Sequence, residues 1–325
     1  MEGPCPKQLV VDIEDGNRDM HTRLDRCLQL VEQMAADRQL PHAYAGGRIL
    51  EAYRTLQSYA QAGISYEQMI HTMRPEGLGD LRQLQQRAQL IQAGHDHVLN
   101  DKGWAVARND YLRALYRHEK GSNVHSFKLS ATFNEPLEHL VAMAREIDNV
   151  HHYDSILSGV VLDQPSLFEG SFYIGVKTPW PFKNMDFMLH AHGADLSEEH
   201  KCTVLMFGTP KSIPSDHLRK LPASAATCTR VTVLEGSCVL LRPLPPGPDG
   251  RPRTQGYMMV HLNPDLPSIP QLWIKLLLKV ASPWLHGLVK GGLKTCFATP
   301  ASVLSKRMAE RPALYDLIRR RMSLF

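Results

Sequence analysis

The sequence predicts an α+β fold in which a curved antiparallel sheet closes around a long C-terminal helix. Strand patterns follow one another from residue 112 to residue 263, an apolar-striped helix comes after them, and the first 100 residues carry helical patterns. Alternating apolar and polar residues indicate strands, whereas apolar residues three and four apart indicate helices. A sheet wrapped on one helix in this way is expected to enclose an internal hydrophobic cavity.

The bulk composition is that of an ordinary globular protein, with 43% hydrophobic and 22% charged residues among 325. A formal net charge of +4 is too small to indicate nucleic acid, although it permits a mild attraction to acidic membranes. The six cysteines include no C-x-x-C pair, which favours free thiols in a reducing compartment. The sequence shows no membrane-spanning run and no signal peptide, so we expect a cytoplasmic protein, at most peripheral to membranes.

Residues 1–100 are predicted to form a helical N-terminal region. Leu24, Leu28, Val31 and their neighbours recur at helical spacing, and further stripes follow beyond Arg48 and beyond Leu81. Stripes of this kind indicate a packing or dimerisation surface, and no chemistry is visible in them.

After Trp104 the predicted elements are two strands, one helix and then a series of strands. Two strands at Leu112–His118 and Val124–Phe133 precede a helix that runs from an Asn134 N-cap to Glu146. Leu137, Leu140, Val141 and Ala144 form the inner stripe of that helix. The remaining predicted strands are Ile156–Leu162, Phe168–Val176, Asp186–His192, Cys202–Phe207, Thr227–Leu234, Cys238–Arg242 and Gly256–Asn263.

The long helix of the second half opens after Pro270. Pro283 should kink it, and Gly291-Gly292 should end it. The basic tail that follows, residues 296–325, carries Arg319-Arg320-Arg321 between apolar residues. This pattern fits a surface helix that docks back on the protein, and it also fits a membrane-surface or partner helix.

Several short motifs in this order resemble one family. Trp104, Leu112–Arg117, the segment Pro179–Phe187 (PWPFKNMDF) and Asn263-Pro264-Asp265 match its opening strand, its Pro-Trp-Pro corner and its last strand. On these residues, the chain over about 101–295 resembles the START domains, the StAR-related lipid-transfer family with a helix-grip fold. The resemblance implies a START-like lipid-binding domain at 101–295 and says nothing about residues 1–100. With the patterns described above, the sequence predicts three regions: a helical N-terminal region at 1–100, this domain at 101–295 and a basic, helical C-terminal tail at 296–325.

The resemblance also implies the function. It predicts a non-enzymatic domain that holds a hydrophobic lipid in its cavity and transfers or senses it. The partners would be a phospholipid, sterol or other acyl lipid and, transiently, a membrane surface, with no nucleic acid, cofactor or metal.

The strand Asp186–His192 is the most informative part of the predicted cavity wall. A period of two places Phe187, Leu189 and Ala191 on one face. Sterol-binding relatives carry an arginine where this sequence has Ala191, so we expect an uncharged wall here, with Tyr173 or His261 supplying polar selectivity. The full set of predicted lipid-binding residues is Phe172, Tyr173, Phe187, Leu189, Ala191, Met206, Met258, His261, Trp273, Leu277, Val280 and Trp284.

Other function classes have weaker sequence support. The chain has no G-x-S-x-G motif, and no third ligand accompanies His190 and His192 at metal spacing, so we predict neither catalytic nor metal-binding residues. A protein-interaction module with a vestigial cavity remains the alternative, and an enzyme on the same scaffold is a third possibility.

Overall fold

The computed structural model describes residues 49–51, 53, 54, 57, 81–118, 121–152, 156–166, 168–178, 183–263, 283, 286, 287 and 289–322. The chain divides into two compact units, Met1–Ala88 and Gln89–Phe325. In the first unit, residues 49–51, 53, 54 and 57 are helical, and Ile49 and Leu50 are buried. The sheet and the candidate site belong to the second unit.

The helices and strands follow in this order. Helix α1 is Leu81–Leu99, and strands β1 to β3 are Ala105–Asn109, Leu112–His118 and His125–Phe133. Helix α2 (Leu137–Arg145) and a 3-10 helix (Ile147–His152) lead to strands β4 (Ile156–Ser166), β5 (Glu169–Val176) and β6 (Met185–Leu196). Helix α3 (Ser197–His200), strand β7 (Cys202–Gly208), helix α4 (Ser215–Arg219) and a 3-10 helix (Ala223–Thr227) come next. Strands β8 to β11 are Thr229–Arg230, Thr232–Val233, Ser237–Leu244 and Arg253–Asn263, and helices α5 to α7 are 289–296, Val303–Glu310 and Pro312–Met322.

The strands form one sheet in the order β1-β2-β3-β11-β10-β7-β6-β5-β4, with β8 paired to β6 and β9 to β11. Every pair along the main path is antiparallel, and the short β8 runs parallel to β6. The first three strands are therefore joined to the rest of the sheet through the last strand, where β3 pairs with β11. We call the face that carries α1 the outer face and the face that carries α2 the inner face.

Helix α1 packs closely on the outer face. A Cβ atom added at Gly94 would lie 2.9 Å from the sulfur of Met206, so the absence of a side chain there permits the close approach. Met206 pairs with Cys238 across β7 and β10, and both side chains are buried. Ile91 and Val98, at helical spacing from Gly94, are buried too.

A buried lysine fixes the end of α1 to the sheet. The ammonium group of Lys128 on β3 donates hydrogen bonds to the carbonyl groups of His97 and Asn100, and it lies 4.5 Å from the ring centroid of Trp104. These carbonyls have no partner inside the helix, so a cation at this position satisfies them. Burial lowers the pKa of Lys128, and the nearby Asp101 opposes that effect.

The outer face has a second cover near β4, β5 and β6. Leu162, Tyr173 and Met188 form a fully buried cluster against residues 213–225 of the following connection. Beside it, Asp186 is completely buried and accepts two hydrogen bonds from Arg230, at 2.6 Å and 2.8 Å. This ion pair holds β8 against the start of β6.

The inner face is covered by α2, α5, α6 and α7. Leu137 and Leu140 of α2 pack with Leu241, Leu293 and Tyr315 in one cluster. A neighbouring cluster joins the 3-10 helix, the sheet, α5 and α6 through Ile147, Phe172, Ala191, Cys296 and Leu304. Both faces of the sheet are therefore apolar and buried over much of their area.

The structure confirms the α+β class with its large antiparallel sheet, and it changes several boundaries. Strand β1 was not predicted, and α2 begins after Pro136 instead of Asn134. The predicted strand Thr227–Leu234 is two short strands after a 3-10 helix. Helix α5 continues through Gly291 and Gly292 to residue 296, because Leu293 and Cys296 are buried and their packing outweighs about 1 kcal/mol of helix propensity lost at each glycine.

Replacing Arg230 with glutamine should lower the free energy of unfolding by about 3 kcal/mol, because Asp186 would remain buried without its cation. Chemical denaturation measures this. Arg219→Gln, at an exposed position on α4, should change stability by less than about 0.5 kcal/mol. Equal stabilities of the two variants would contradict the structural role given to the pair.

Candidate functional site

A cavity of about 400 Å³ lies between the inner face of the sheet and helices α2 and α7. Its lining side chains are almost all apolar. The sheet contributes Phe168, Glu169, Gly170, Phe172, Ile174, Leu189, Ala191, Gly193, Ala194, Asp195, Thr203, Val204, Leu205, Phe207, Val239, Leu241 and Met258, and the helical side contributes Val141, Ala144, Arg145, Ile147, Leu314, Leu317, Ile318, Arg321 and Met322.

Small residues keep the centre of this wall open. Gly170 pairs with Ala191 across β5 and β6, and Ala191 pairs with Phe207 across β6 and β7. A Cβ atom at Gly170 would approach the Phe172 ring to 2.6 Å, so no side chain fits there without moving that ring. At this position two adjacent strands, β5 and β6, have almost no side-chain volume, and this leaves space in the cavity.

Four of the residues predicted from the sequence line the cavity: Phe172, Leu189, Ala191 and Met258. Phe187 lies on the same face, paired opposite the lining residue Ile174, but it is not itself part of the lining. The lining residues next to Ala191 in the sheet, Gly170, Leu189 and Phe207, are uncharged.

Tyr173, Met206 and His261 lie on the outer face, away from the cavity. Tyr173 packs with Leu162 and Met188, Met206 lies under Gly94 of α1, and the His261 ring is 2.7 Å from the Ser126 hydroxyl. Successive residues of a strand point to opposite faces, so Phe172 and Tyr173 cannot share a wall. Trp273, Leu277, Val280 and Trp284 lie outside the described residues.

Helix α7 is the part of the wall that the sequence interpretation missed. Its lining residues Leu314, Leu317, Ile318, Arg321 and Met322 come from the basic tail, which was expected to be a surface helix that docks back or a membrane or partner helix, and none of them was among the predicted lipid-binding residues. Leu314, Leu317, Ile318 and Arg321 are spaced at i, i+3, i+4 and i+7, which is the signal that could have shown an inward-facing stripe. Leu314, Leu317 and Ile318 are buried, and each contributes roughly 1.5–3 kcal/mol of apolar burial.

A buried carboxylate attaches the two last helices to α2. Glu146 is 2% exposed, and it accepts hydrogen bonds from the Tyr315 hydroxyl at 2.7 Å and from Arg311 at 3.1 Å. The Nε atoms of Arg145 and Arg307 each lie 3.7 Å from a Glu146 oxygen. We call these five residues the Glu146 cluster. Its burial lowers the pKa of Arg145 and raises that of Tyr315 far above the usual range.

A second group of ion pairs, which includes one exposed carboxylate, lies at the edge of the cavity. Arg321 of α7 is 2.6 Å from Glu198 on α3 and 3.5 Å from Asp195 at the end of β6. Asp195 and Arg321 both line the cavity. The polar residues of the described lining are therefore Arg145 on the α2 side, this pair near the β6–β7 turn, Glu169 at the start of β5 and Thr203 on β7.

Within the described residues, no three His, Cys, Asp or Glu side chains come together in a way that could hold a metal ion. The helices of this part of the chain also include none that is long and apolar enough to cross a bilayer.

The architecture matches solved structures although the sequence does not match known families. Neither a protein-family model nor a curated protein matches the chain. The crystal structure of human STARD10 aligns with a TM-score of 0.53 at 14% identity, over 70% of this chain and 87% of that one. The chain has the START fold. Human StAR-related lipid transfer protein 5 aligns with a TM-score of 0.49 at 11% identity, over 64% of this chain and 97% of that one.

Tyr315→Phe should lower the free energy of unfolding of this START fold by about 1.5–3 kcal/mol, because a buried hydrogen bond to a charged acceptor is lost. Urea denaturation measures the change. Tyr111→Phe is the matched control: Tyr111 is 59% exposed, and its substitution should have little effect. A Tyr315→Phe variant as stable as the parent would refute the importance of the Glu146 cluster.

Stability should also fall above pH 10. The unfolded chain ionises tyrosine near pH 10. Burial raises the pKa of Tyr315 beyond that value and the pKa of Tyr173 to about 12. Between pH 10 and the folded pKa the unfolded state therefore loses protons that the folded state keeps, so unfolding becomes easier as pH rises. Tyr315→Phe should make the decline shallower in denaturation series between pH 9 and 11. An unchanged slope would contradict the assignment.

Proposed function

We propose that this protein binds a lipid non-enzymatically, with the hydrocarbon part of the lipid in the cavity, and that it transfers or senses that lipid. The observation that carries the proposal is the apolar lining of a cavity of about 400 Å³ on a START fold. That volume falls within the range of small-molecule sites in proteins. An acyl chain is a suitable occupant because its burial is favourable by about 0.8 kcal/mol for each CH₂ group.

The proposed contacts follow from the lining. Phe172, Leu189, Ala191 and Met258 would contact the hydrocarbon from the sheet, and Leu314 and Ile318 from α7. The level of Gly170 and Ala191 gives the most room, so we propose that the bulkiest part of the lipid lies there.

The charged residues of the lining indicate where in the cavity we propose that the polar group of the lipid lies. Close to Ala191 the wall offers no charge, so a buried ion pair with the ligand is not expected there. We propose Arg145 on one side and the Arg321–Asp195 pair on the other as the places that meet a polar group, because Glu169, the other charged residue of the described lining, is engaged by His190.

A non-enzymatic role agrees with the titratable groups of the lining. Among the described lining residues these are Arg145, Glu169, Asp195 and Arg321. Asp195 is engaged by Arg321, and Glu169 lies 3.2 Å from His190. No cysteine, histidine or serine lines this part of the wall, so a nucleophile beside a base, the arrangement on which covalent catalysis depends, is lacking there. We also propose a cytoplasmic location with transient membrane contact, which the free thiols of Cys202, Cys228, Cys238 and Cys296 favour.

A pair of leucine-to-tryptophan variants tests the proposal. Leu189→Trp fills the cavity, so it should reduce the lipid that co-purifies with the protein by at least tenfold in native mass spectrometry. Leu218→Trp makes the same chemical change at a 48% exposed position, and it should retain lipid at the parent level.

Two results would overturn the proposal. An empty parent protein, both from native mass spectrometry and after incubation with mixed phospholipid, sterol and fatty-acid vesicles, would favour an interaction module with a vestigial cavity. Equal lipid content in Leu189→Trp and Leu218→Trp, with both variants folded by circular dichroism, would move the lipid site elsewhere.

A further inference from the structure

The positive charge of this protein is concentrated in its last two helices. Residues 303–322 contain six lysines and arginines and two acidic residues, a net +4, and the whole chain also has a formal net charge of +4. Acidic and basic residues therefore balance in the rest of the sequence. A charge asymmetry of this kind indicates a partner of opposite charge for one end of the molecule.

Some of these basic side chains point into the protein, and others are exposed on its surface. Arg307 and Arg311 point inward to Glu146, and Arg307 also lies 2.7 Å from Asp148. On α7, Arg319 and Arg320 are exposed, with 48% of the Arg319 side chain accessible. Arg319 also lies 2.6 Å from Asp316 and 3.4 Å from Glu138, and a pair as exposed as the one with Asp316 is weak in water. The inner stripe of the same helix is the apolar cavity wall.

From this arrangement we infer that the outward side of α7, with Arg319 and Arg320, is a docking surface for a membrane that contains anionic phospholipids. The inference rests on the proposed function, because a protein that exchanges a water-insoluble ligand must bring its cavity to a bilayer. Guanidinium groups bind phosphate oxygens with two parallel hydrogen bonds, and the lipid phosphates supply the charge that complements this helix. Each arginine near an anionic surface strengthens binding by roughly fivefold.

The position of α7 gives the docking a consequence for the cavity. Arg321 follows Arg319 and Arg320 directly, and it forms the ion pairs with Asp195 and Glu198 at the cavity edge. Glu198 is 59% exposed, and exposed ion pairs contribute little and exchange readily. The Arg321 and Asp195 side chains are only 16% and 17% accessible, so only the Glu198 side of this contact is open to solvent. Docking through Arg319 and Arg320 therefore brings the lipid phosphates next to the cavity edge.

The test is co-sedimentation of the full chain with vesicles of phosphatidylcholine, with or without 30% phosphatidylserine. The parent should bind the phosphatidylserine vesicles preferentially, and binding should weaken as salt is raised from 0.05 M to 0.5 M. The double variant Arg319→Gln/Arg320→Gln should bind them roughly 25-fold more weakly. The double variant Arg219→Gln/Arg251→Gln loses the same charge at exposed positions outside α7, and it should bind like the parent.

The other outcomes overturn the inference. A parent that does not distinguish the two kinds of vesicle has no anionic docking surface. Equal losses of vesicle binding in both double variants would show a general effect of net charge. Unchanged vesicle binding in the α7 variant would show that the docking surface lies elsewhere or that an acidic protein is the partner of these arginines. Native mass spectrometry of the same samples measures the lipid in the cavity separately. An empty cavity with intact vesicle binding refutes only the proposed function. A cavity that contains lipid, in a protein that does not bind the vesicles, refutes only this inference.

Discussion

A single buried carboxylate determines how the end of this chain is placed. Glu146 follows α2 in a position from which water is excluded, and an ion there must be compensated by charges and hydrogen bonds. Arg311, between the last two helices, and Tyr315, on α7, supply the shortest of these contacts, and Arg307 on α6 adds a longer one. The segment 303–322 is thereby fixed across the inner face of the sheet. Without that constraint, α7 would be held at the cavity wall only by apolar packing and by its more peripheral ion pairs, such as those of Arg321.

The two attachments of α7 differ in strength because they differ in exposure. The Glu146 cluster lies in a low-dielectric interior, where the loss of one partner leaves an uncompensated charge. The Arg321 pairs at the cavity edge are partly exposed to water and salt, which weaken them. One end of the helix is thus held by a buried cluster, while the other end, beside the cavity, is held in part by an exposed contact with Glu198.

The sheet supports this arrangement because both of its faces are buried. On the outer face, α1 and residues 213–225 pack against Met206, Tyr173 and their neighbours. On the inner face, the cavity is left open where Gly170 meets Ala191 and is closed elsewhere by packed side chains. A wall supported from behind in this way keeps its shape whether or not the cavity is occupied, since interiors packed at this density resist deformation.

Part of the candidate site followed from the sequence alone. The period of two in β6 placed Leu189 and Ala191 on one face, and this face lines the cavity. The same rule could not decide whether Phe172 or Tyr173 faces the cavity, or whether Met206 does. Alternation identifies a buried face only when the other face is polar, and here helix α1 and a long connection make the second face equally apolar. Strand β1 was missed because most of its residues are exposed and polar or small.

The sequence by itself determined the order of the elements, the α+β class and the uncharged character of the wall near Ala191, because these depend on local periodicity and residue type. The tertiary structure decided which apolar face encloses the cavity and that α7 belongs to its wall. Those two facts depend on contacts between residues far apart in the chain, such as Glu146 with Tyr315 and Gly94 with Met206, and no local pattern encodes them.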